Sequence, residues 1–242
     1  MNIVITMAGL GSRFKKAGYT EPKYKIKVHD KTLFDWSMES LEAFNKDENV
    51  KYFFIVRKED NSSEFIKEKM AQKGINNIEI IELDSLTDGQ ATTAMCAANK
   101  WDKNDSLMIY NIDTYVEAGA MNEEQITGDG FIPCFNAEGD HWSFVKLDEN
   151  GNAVEVREKT RISDNCTIGA YYFKTCNLYE NLYNEYYSDN RNLEKGEKYV
   201  APLYNYLIKQ GGKVNISVID NKKVHVLGTP EEVEVFRNQN IK

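Results

Sequence analysis

The chain has 242 residues, 41% hydrophobic and 28% charged, with 14 Tyr and 11 Phe. That supports the core of one large α/β domain and argues against a disordered chain. The net charge of −8, with no long Lys/Arg block, argues against a general nucleic-acid binder; a local basic loop can still hold a small anion.

In chain order, an apolar run predicts a buried strand at 2–7. Leu33, Trp36, Ser37 and Leu41 stand near helical spacing and predict a helix over 32–43. A second strand follows at 52–56. Ser62 or Ser63 is placed to cap a helix that runs towards Lys73 and stops at Gly74. A third strand is expected at 78–83, then the loop DSLTDG, a helix from 90 to about 101, and a fourth strand at 107–112 that runs into Asp113.

This alternation predicts a mostly parallel sheet with helices on both faces. Ligands of such sheets sit beyond the carboxyl ends of the strands. Three loops meet that condition: those after Met7, after Leu83 and at Asp113.

The second half changes character. A strand is expected at 131–135, and strands at 143–147 and 153–156 flank the hairpin signal DENGN. A single strand is expected over 167–173. This half is therefore antiparallel or mixed, either a second lobe or an extension of the sheet. Helices are expected at 178–187 and 199–208, separated by the polar loop DNRNLEKGEK. Late strands follow at 214–219 and 224–227. Pro230 opens a last helix to 236, with Glu231 and Glu232 at its positive end.

Cys96, Cys134, Cys166 and Cys176 form no CxxC pair, and His29, His141 and His225 lie far apart. Neither a structural zinc site nor a disulfide scaffold is expected. No apolar run approaches 18 residues, so no membrane span is expected. The opening MNIVITMAG is too short for a signal peptide, and the expected location is cytoplasmic.

The first loop reads GLGSRFKKAGYTEPK. A dinucleotide fingerprint needs a third glycine, and Phe14 follows Gly9 and Gly11 instead. The acid expected after the second strand is also missing, because that strand ends at Val56 and Arg57. No GKS or GKT is present, which removes the Walker reading. What remains is a glycine turn with Ser12, Arg13 and Lys23 close behind. Backbone N–H groups of such a turn can cradle phosphate. Arg13 can grip two phosphate oxygens, and Lys23 can act as a mobile point charge. Lys15 and Lys16 read as solvated surface residues.

GLGSRF followed by EPK resembles the signature loop of nucleotidyltransferases that activate sugar phosphates or similar phosphomonoesters. The resemblance spans essentially the whole chain. It implies a Rossmann-like, mostly parallel mixed sheet flanked by helices, with an antiparallel extension for the acceptor. It implies one domain over 1–242, with a nucleotide-binding half at 1–116 and an acceptor half at 117–242. It implies that Ala8, Gly9, Leu10, Gly11 and Ser12 wrap a nucleoside triphosphate. Arg13 and Lys23 would stabilise charge at the reacting phosphorus.

Other segments extend the resemblance. In LTDGQATTA, small residues before a helix permit close approach of a flat ligand. The similar family segment lies beside the nucleobase, which implies Asp88, Gly89 and Gln90 for the base. Asp113 ends a buried strand and suits Mg²⁺, a hard ion that prefers oxygen ligands; related enzymes use an Asp there for Mg²⁺. In EVREKT, Glu158 and Lys159 match a Glu-Lys element whose lysine meets the acceptor phosphate. Gly169 and Tyr171 fall on the strand near the acceptor, where Ile168 replaces the family's usual Asn or Thr. Trp142, Tyr171 and Tyr172 are candidates for an aromatic pocket suited to a quaternary ammonium. One departure is clear: in HVLGTPEEV, Val226 stands where sugar-phosphate members carry a second metal-binding Asp.

The expected activity is an Mg²⁺-dependent cytidylyltransferase of the compact capsule or surface-polysaccharide type. A phosphate oxygen of the acceptor would attack the α-phosphorus of CTP, and pyrophosphate would leave. The acceptor would be cholinephosphate, a sugar phosphate or a phosphorylated amino acid such as phosphoglutamine. The alternatives are uridylyl or thymidylyl transfer to a sugar 1-phosphate, and a non-catalytic nucleotide-binding module. No nucleic-acid or membrane partner is expected, and a homo-oligomer is compatible with the sequence.

Overall fold

The computed structural model describes residues 1–47 and 49–241. The elements in chain order are β1 (Asn2–Thr6), α1 (Ser12–Lys16), β2 (Lys27–Val28), β3 (Lys31–Thr32), α2 (Leu33–Glu39), β4 (Lys51–Arg57), α3 (Ser63–Gln72), β5 (Ile78–Leu83), α4 (Gln90–Met95) and β6 (Leu107–Asn111). The second half adds β7 (Thr114–Val116), β8 (Gly130–Asn136), β9 (Ser143–Leu147), β10 (Ala153–Glu158), β11 (Asn165–Thr167), β12 (Ala170–Phe173), α5 (Cys176–Tyr186), α6 (Ala201–Lys209), β13 (Val214–Ile219), β14 (Val224–Val226) and α7 (Pro230–Arg237).

One sheet runs through both halves. Its parallel part has the order β5-β4-β1-β6. Beyond β6 the pairing turns antiparallel through β12, β8, β11, β9 and β10, with β13 parallel to β8. This is a Rossmann-like mixed sheet flanked by helices, with an antiparallel extension.

The central strands are apolar throughout because both faces are covered. Alternation divides their side chains. Ile3, Ile5, Tyr52, Phe54, Met108 and Tyr110 enter the core on one face. Val4, Phe53, Ile55, Leu107 and Ile109 enter the core on the other. A third, smaller cluster joins Phe14 of α1 to Trp36 of α2 and to Leu227, Val233 and Phe236 around α7.

Several elements differ from expectation. The helix expected over 32–43 ends at Glu39, followed by a 3₁₀ turn, Glu42–Lys46. The Ser40 hydroxyl accepts from Val116 N there, and the Ser37 hydroxyl donates to Ile112 O. The helix expected over 90–101 ends at Met95 and tightens into i→i+3 turns through Lys100. Ser62 stands at the N-cap of α3 without capping it. Its hydroxyl is instead engaged with the Tyr24 hydroxyl at 2.7 Å and Asp60 O at 3.0 Å. The strand expected over 167–173 is two strands, broken at Gly169, whose φ is +81°. A Cβ at that position would stand 2.6 Å from Asn111 Nδ2, so only glycine fits the break.

Candidate active site

In the parallel part, the chain crosses from β1 to β4 on one side and returns to β6 on the other. The crevice between β1 and β6 is thus a topological switch point, where ligands of open α/β sheets bind. A cleft of about 500 Å³ lies there, a suitable size for a small ligand. Its walls are residues 6–12, Lys23, parts of the 86–93 segment, Asn111 and Asp113. From the second half come Glu197 and Tyr199.

The signature loop forms the first wall. Met7 N donates to Ile55 O at 2.9 Å and ties the loop to β4. Ala8 is buried, while Gly9, Leu10 and Ser12 are exposed. A Cβ on Gly9 would meet nothing within 4 Å, so its hydrogen leaves the wall open to a ligand. Gly11 takes φ +60° at the N-cap of α1, a left-handed conformation that glycine adopts without cost. Phe14 is the buried residue of α1 and pins it in the third cluster. Arg13 is exposed on α1 beside the loop and does not line the cleft itself. No carboxylate pairs with it among the described residues. Lys15 and Lys16 are exposed.

Pro22 introduces a 3₁₀ turn that begins at Lys23. The Lys23 ammonium forms an ion pair with Asp113 Oδ1 on the cleft floor. The pair joins the loop after β1 to the loop after β6. Beside it, Gln90 Nε2 donates to Asn111 Oδ1, which also accepts from the Thr6 hydroxyl at 3.2 Å. Gly89 lines the cleft with φ +141° and ψ 174°. Asp88 faces elsewhere: it pairs with Lys198 at 2.8 Å and accepts from the Thr92 hydroxyl. Burial pushes the Asp88 carboxyl up, but the bonds from Lys198 and Thr92 outweigh it and hold it below its ordinary value.

The residues expected on the acceptor side divide. Lys159 has a left-handed φ of 51°, and its Nζ donates to the Tyr199 hydroxyl at 2.9 Å. Burial works against its charge, but the Tyr199 bond and the Glu158 carboxylate outweigh it and raise its pKa. Glu158 lies 3.5 Å from Lys159 Nζ and accepts from the Ser143 hydroxyl. Gly169 is buried against Asn111, next to the cleft floor. Tyr171 is a core residue, only 4% exposed, with its hydroxyl between Ser143 at 3.3 Å and Thr167 at 3.1 Å. It offers no surface to an acceptor.

No family model and no curated protein matches the chain. Among solved structures, a nucleoside-diphosphate-sugar pyrophosphorylase from Vibrio cholerae RC9 is 36% identical. The alignment covers 98% of this chain and 100% of that one, with a TM-score of 0.90. The chain belongs to the nucleotidyltransferase superfamily of NDP-sugar pyrophosphorylases. Two more distant structures share the fold of this nucleotidyltransferase. The inositol-1-phosphate CTP transferase of T. maritima is 12% identical, with a TM-score of 0.74, over 100% of this chain and 97% of that one. A Bacillus anthracis protein, provisionally assigned as a glucose-1-phosphate thymidylyltransferase and bound to sucrose, is 14% identical, with a TM-score of 0.76 and the same coverage.

Among the described residues, Trp142, Tyr171 and Tyr172 do not converge on one acceptor pocket. Tyr171 and Tyr172 are successive residues of β12 and point to opposite faces of the sheet. Trp142 packs on Phe135 at 5.1 Å and donates its indole N–H to Glu138 O.

Among the described residues, no three His, Cys, Asp or Glu side chains group closely enough to hold a metal. Val226 of β14 pairs with Thr114 of β7 and packs against the core. Asp220 caps the 3₁₀ turn Asn221–Lys223 by accepting from Lys222 N. Two buried carboxylate oxygens do face the Asp113 corner. Asp113 Oδ1 has only the Lys23 ammonium beside it, and Glu232 Oε2 has no hydrogen-bond partner among the described residues. Glu232 Oε2 and Asp113 Oδ2 stand 3.5 and 3.7 Å from where a Cβ of Gly228 would be. Such a donor set fits Mg²⁺, which takes one or two carboxylates and completes its shell with water and substrate phosphates.

Sequence reasoning missed Asn111, Glu197, Lys198 and Tyr199. Asn111 carried a signal, since it ends a predicted strand beside Asp113. The other three lie in or beside a polar loop with no local sign of a site. No helix among the described residues is long and apolar enough to cross a membrane.

Proposed function

We propose that this nucleotidyltransferase forms a nucleoside-diphosphate sugar from a nucleoside triphosphate and a sugar 1-phosphate, releasing pyrophosphate. The observation that carries the reading is the meeting of the signature loop, Lys23 and Asp113 in one cleft at the switch point. The 36% identity to an NDP-sugar pyrophosphorylase supports a sugar phosphate as acceptor. The divergent placing of Tyr171, Tyr172 and Trp142 weighs against a quaternary ammonium such as cholinephosphate.

The chain's own groups divide the work. The open wall at Gly9 and Gly11 receives the triphosphate. Arg13 swings from α1 to its outer oxygens, and Lys23 stands between donor and acceptor phosphates. Lys159 holds the acceptor phosphate. A phosphate oxygen of the acceptor then attacks the α-phosphorus, and the bond to the bridging oxygen of pyrophosphate breaks in line. No covalent enzyme intermediate is needed, because the nucleophile is already anionic. Catalysis comes from positioning and from fixed charge aimed at the leaving group. Mg²⁺, held by Asp113, would neutralise charge growing on the triphosphate.

Gln90 supports UTP or dTTP as the first donors to test. Its amide NH₂ is committed to Asn111 Oδ1 and, at 3.4 Å, to the Thr6 hydroxyl, which leaves its carbonyl as the free function. That carbonyl can accept from N3–H of uracil or thymine, a hydrogen that cytosine lacks. CTP is the second reading, since cytosine can offer its exocyclic amine to the same carbonyl. An activated sugar of this kind would feed glycosyl transfer, as in capsule or surface-polysaccharide synthesis.

The test is pyrophosphate release from purified protein, with each common NTP against sugar 1-phosphates, cholinephosphate and other phosphomonoesters. Release with UTP or dTTP and a sugar 1-phosphate is the expected result. Nucleotide binding with no release from any pair would favour a non-catalytic module.

A further inference from the structure

Residues 194–199 form a strap across the cleft. Glu194 and Glu197 exchange both main-chain hydrogen bonds at 3.0 Å. Between them Lys195 and Gly196 take φ +53° and +84°, the two positive values of a type I′ turn. The turn sends the chain back so that Glu197 and Tyr199 line the cleft.

One side of the strap is fastened to the loop before α4, which carries Asp88 and Gly89 and is the base loop of the proposed function. Lys198 N donates to Asp88 O at 2.7 Å, and Ala91 N donates to Lys198 O at 3.0 Å. Gly89 permits this approach, since a Cβ there would stand 2.6 Å from Lys198 N. Lys198 Nζ adds its ion pair with Asp88. The Tyr187 hydroxyl fixes the next peptide by donating to Tyr199 O at 2.5 Å.

The other side is fastened to the acceptor lysine. Lys159 Nζ donates to the Tyr199 hydroxyl and lies 4.7 Å from the centre of its ring. The Tyr199 hydroxyl accepts from the ammonium; burial, with the Glu197 carboxylate nearby, raises the pKa of that hydroxyl and keeps it protonated. The Lys159 side chain is 39% exposed, and a free lysine of that exposure samples many rotamers. The hydroxyl of Tyr199 selects among them, from a segment whose main chain is bonded to the base loop.

We propose that Tyr199 is the positioning residue for Lys159, holding its ammonium where an acceptor phosphate must bind and in register with the donor loop. The proposal rests on the reading of Lys159 as the acceptor-phosphate ligand.

Tyr199→Phe tests it, because the ring and the main-chain clasp stay while the hydroxyl goes. Expected is a rise of about three- to tenfold in KM for the sugar 1-phosphate, the usual effect of losing one such bond. The KM for the nucleoside triphosphate and kcat should stay within about twofold. In a Lys159→Met background the same change should add nothing, since both residues act through one contact. A second readout does not need turnover: NMR of methyl-labelled lysines should show the Lys159 pKa fall in Tyr199→Phe, because that hydroxyl helps raise it. An unchanged acceptor KM, or effects that add fully with Lys159→Met, would overturn the proposal. If the parent protein releases no pyrophosphate with any pair, the functional reading fails and the NMR arm decides the contact: a lowered Lys159 pKa supports it, and an unmoved one overturns it.

Discussion

Gly89→Ala should separate the frame of the base loop from its chemistry. Gly89 has φ +141° and ψ 174°, a region essentially reserved for glycine. Holding alanine there costs about 1–3 kcal/mol. The new Cβ would also press on the Lys198 main chain, which must retreat and give up its bonds to Asp88 O and Ala91 N. Each such bond contributes about 1 kcal/mol net, so the total loss is about 3–5 kcal/mol. For a chain of this length that lowers Tm by about 6–20 °C, readable by calorimetry or a thermal melt. Gly9→Ala is the contrasting case. Its Cβ meets nothing within 4 Å, so Tm should stay within about 2 °C. The methyl would instead enter the triphosphate's path and raise its KM. A Gly89→Ala protein that melts with the parent, or a Gly9→Ala protein that is the less stable of the two, would refute this reasoning.

Arg13→Ala should lower kcat by about 10²–10³, as loss of a charge-stabilising donor does. It should leave Tm unchanged, because Arg13 is exposed; full turnover would remove Arg13 from the mechanism. Asp113→Asn should weaken Mn²⁺ binding in the presence of nucleotide, followed by EPR, and abolish turnover. Unchanged metal affinity would show that the carboxylate is not a ligand. Asp35→Asn probes pH. Asp35 caps α2 reciprocally with Thr32 and pairs with Lys69 at 2.7 Å. Burial pushes its carboxyl up, but the bonds from Lys69 and Thr32 outweigh it and lower its pKa. The contribution is therefore present above the unfolded value of about 3.9 and lost as pH falls through the folded value. At pH 7 the variant should be about 1–2 kcal/mol less stable, and its Tm should converge on the parent's below about pH 4. A constant gap across pH would refute the assignment.

The parallel half was legible because its central strands β1, β4 and β6 are buried on both faces. Runs such as 52–56 can then be continuously apolar, and turn signals separate them cleanly. The antiparallel half was harder, because its breaks come from contacts that are distant in sequence. Gly169 splits β11 from β12 because Asn111 stands against it. The dipeptide Tyr171-Tyr172 suggested an aromatic pocket, but strand geometry sends one ring into the core and the other to the opposite face. The loop before α6 reads in sequence only as a polar loop. Its importance lies in partners 40 residues away at Lys159 and 110 residues away at Asp88, which local composition cannot report.

The signature loop shows how one residue redirects a common architecture. A third glycine in place of Phe14 would allow close packing of the first helix on the sheet, the arrangement that receives a dinucleotide pyrophosphate. Phe14 gives the helix a different anchor. Its ring is buried with Trp36, Leu227 and Phe236, away from the crevice. The helix is only five residues long, so its N-terminus contributes little directed dipole compared with a longer helix. Under the proposed function, charge for the phosphates would then come from side chains. Arg13 flanks the anchor on exposed helix surface, and Lys23 returns over the floor to meet Asp113. The loss of the fingerprint glycine and the proposed basic clamp are thus linked: the anchor that takes the helix away from the crevice also fixes the segment that carries Arg13 and Lys23.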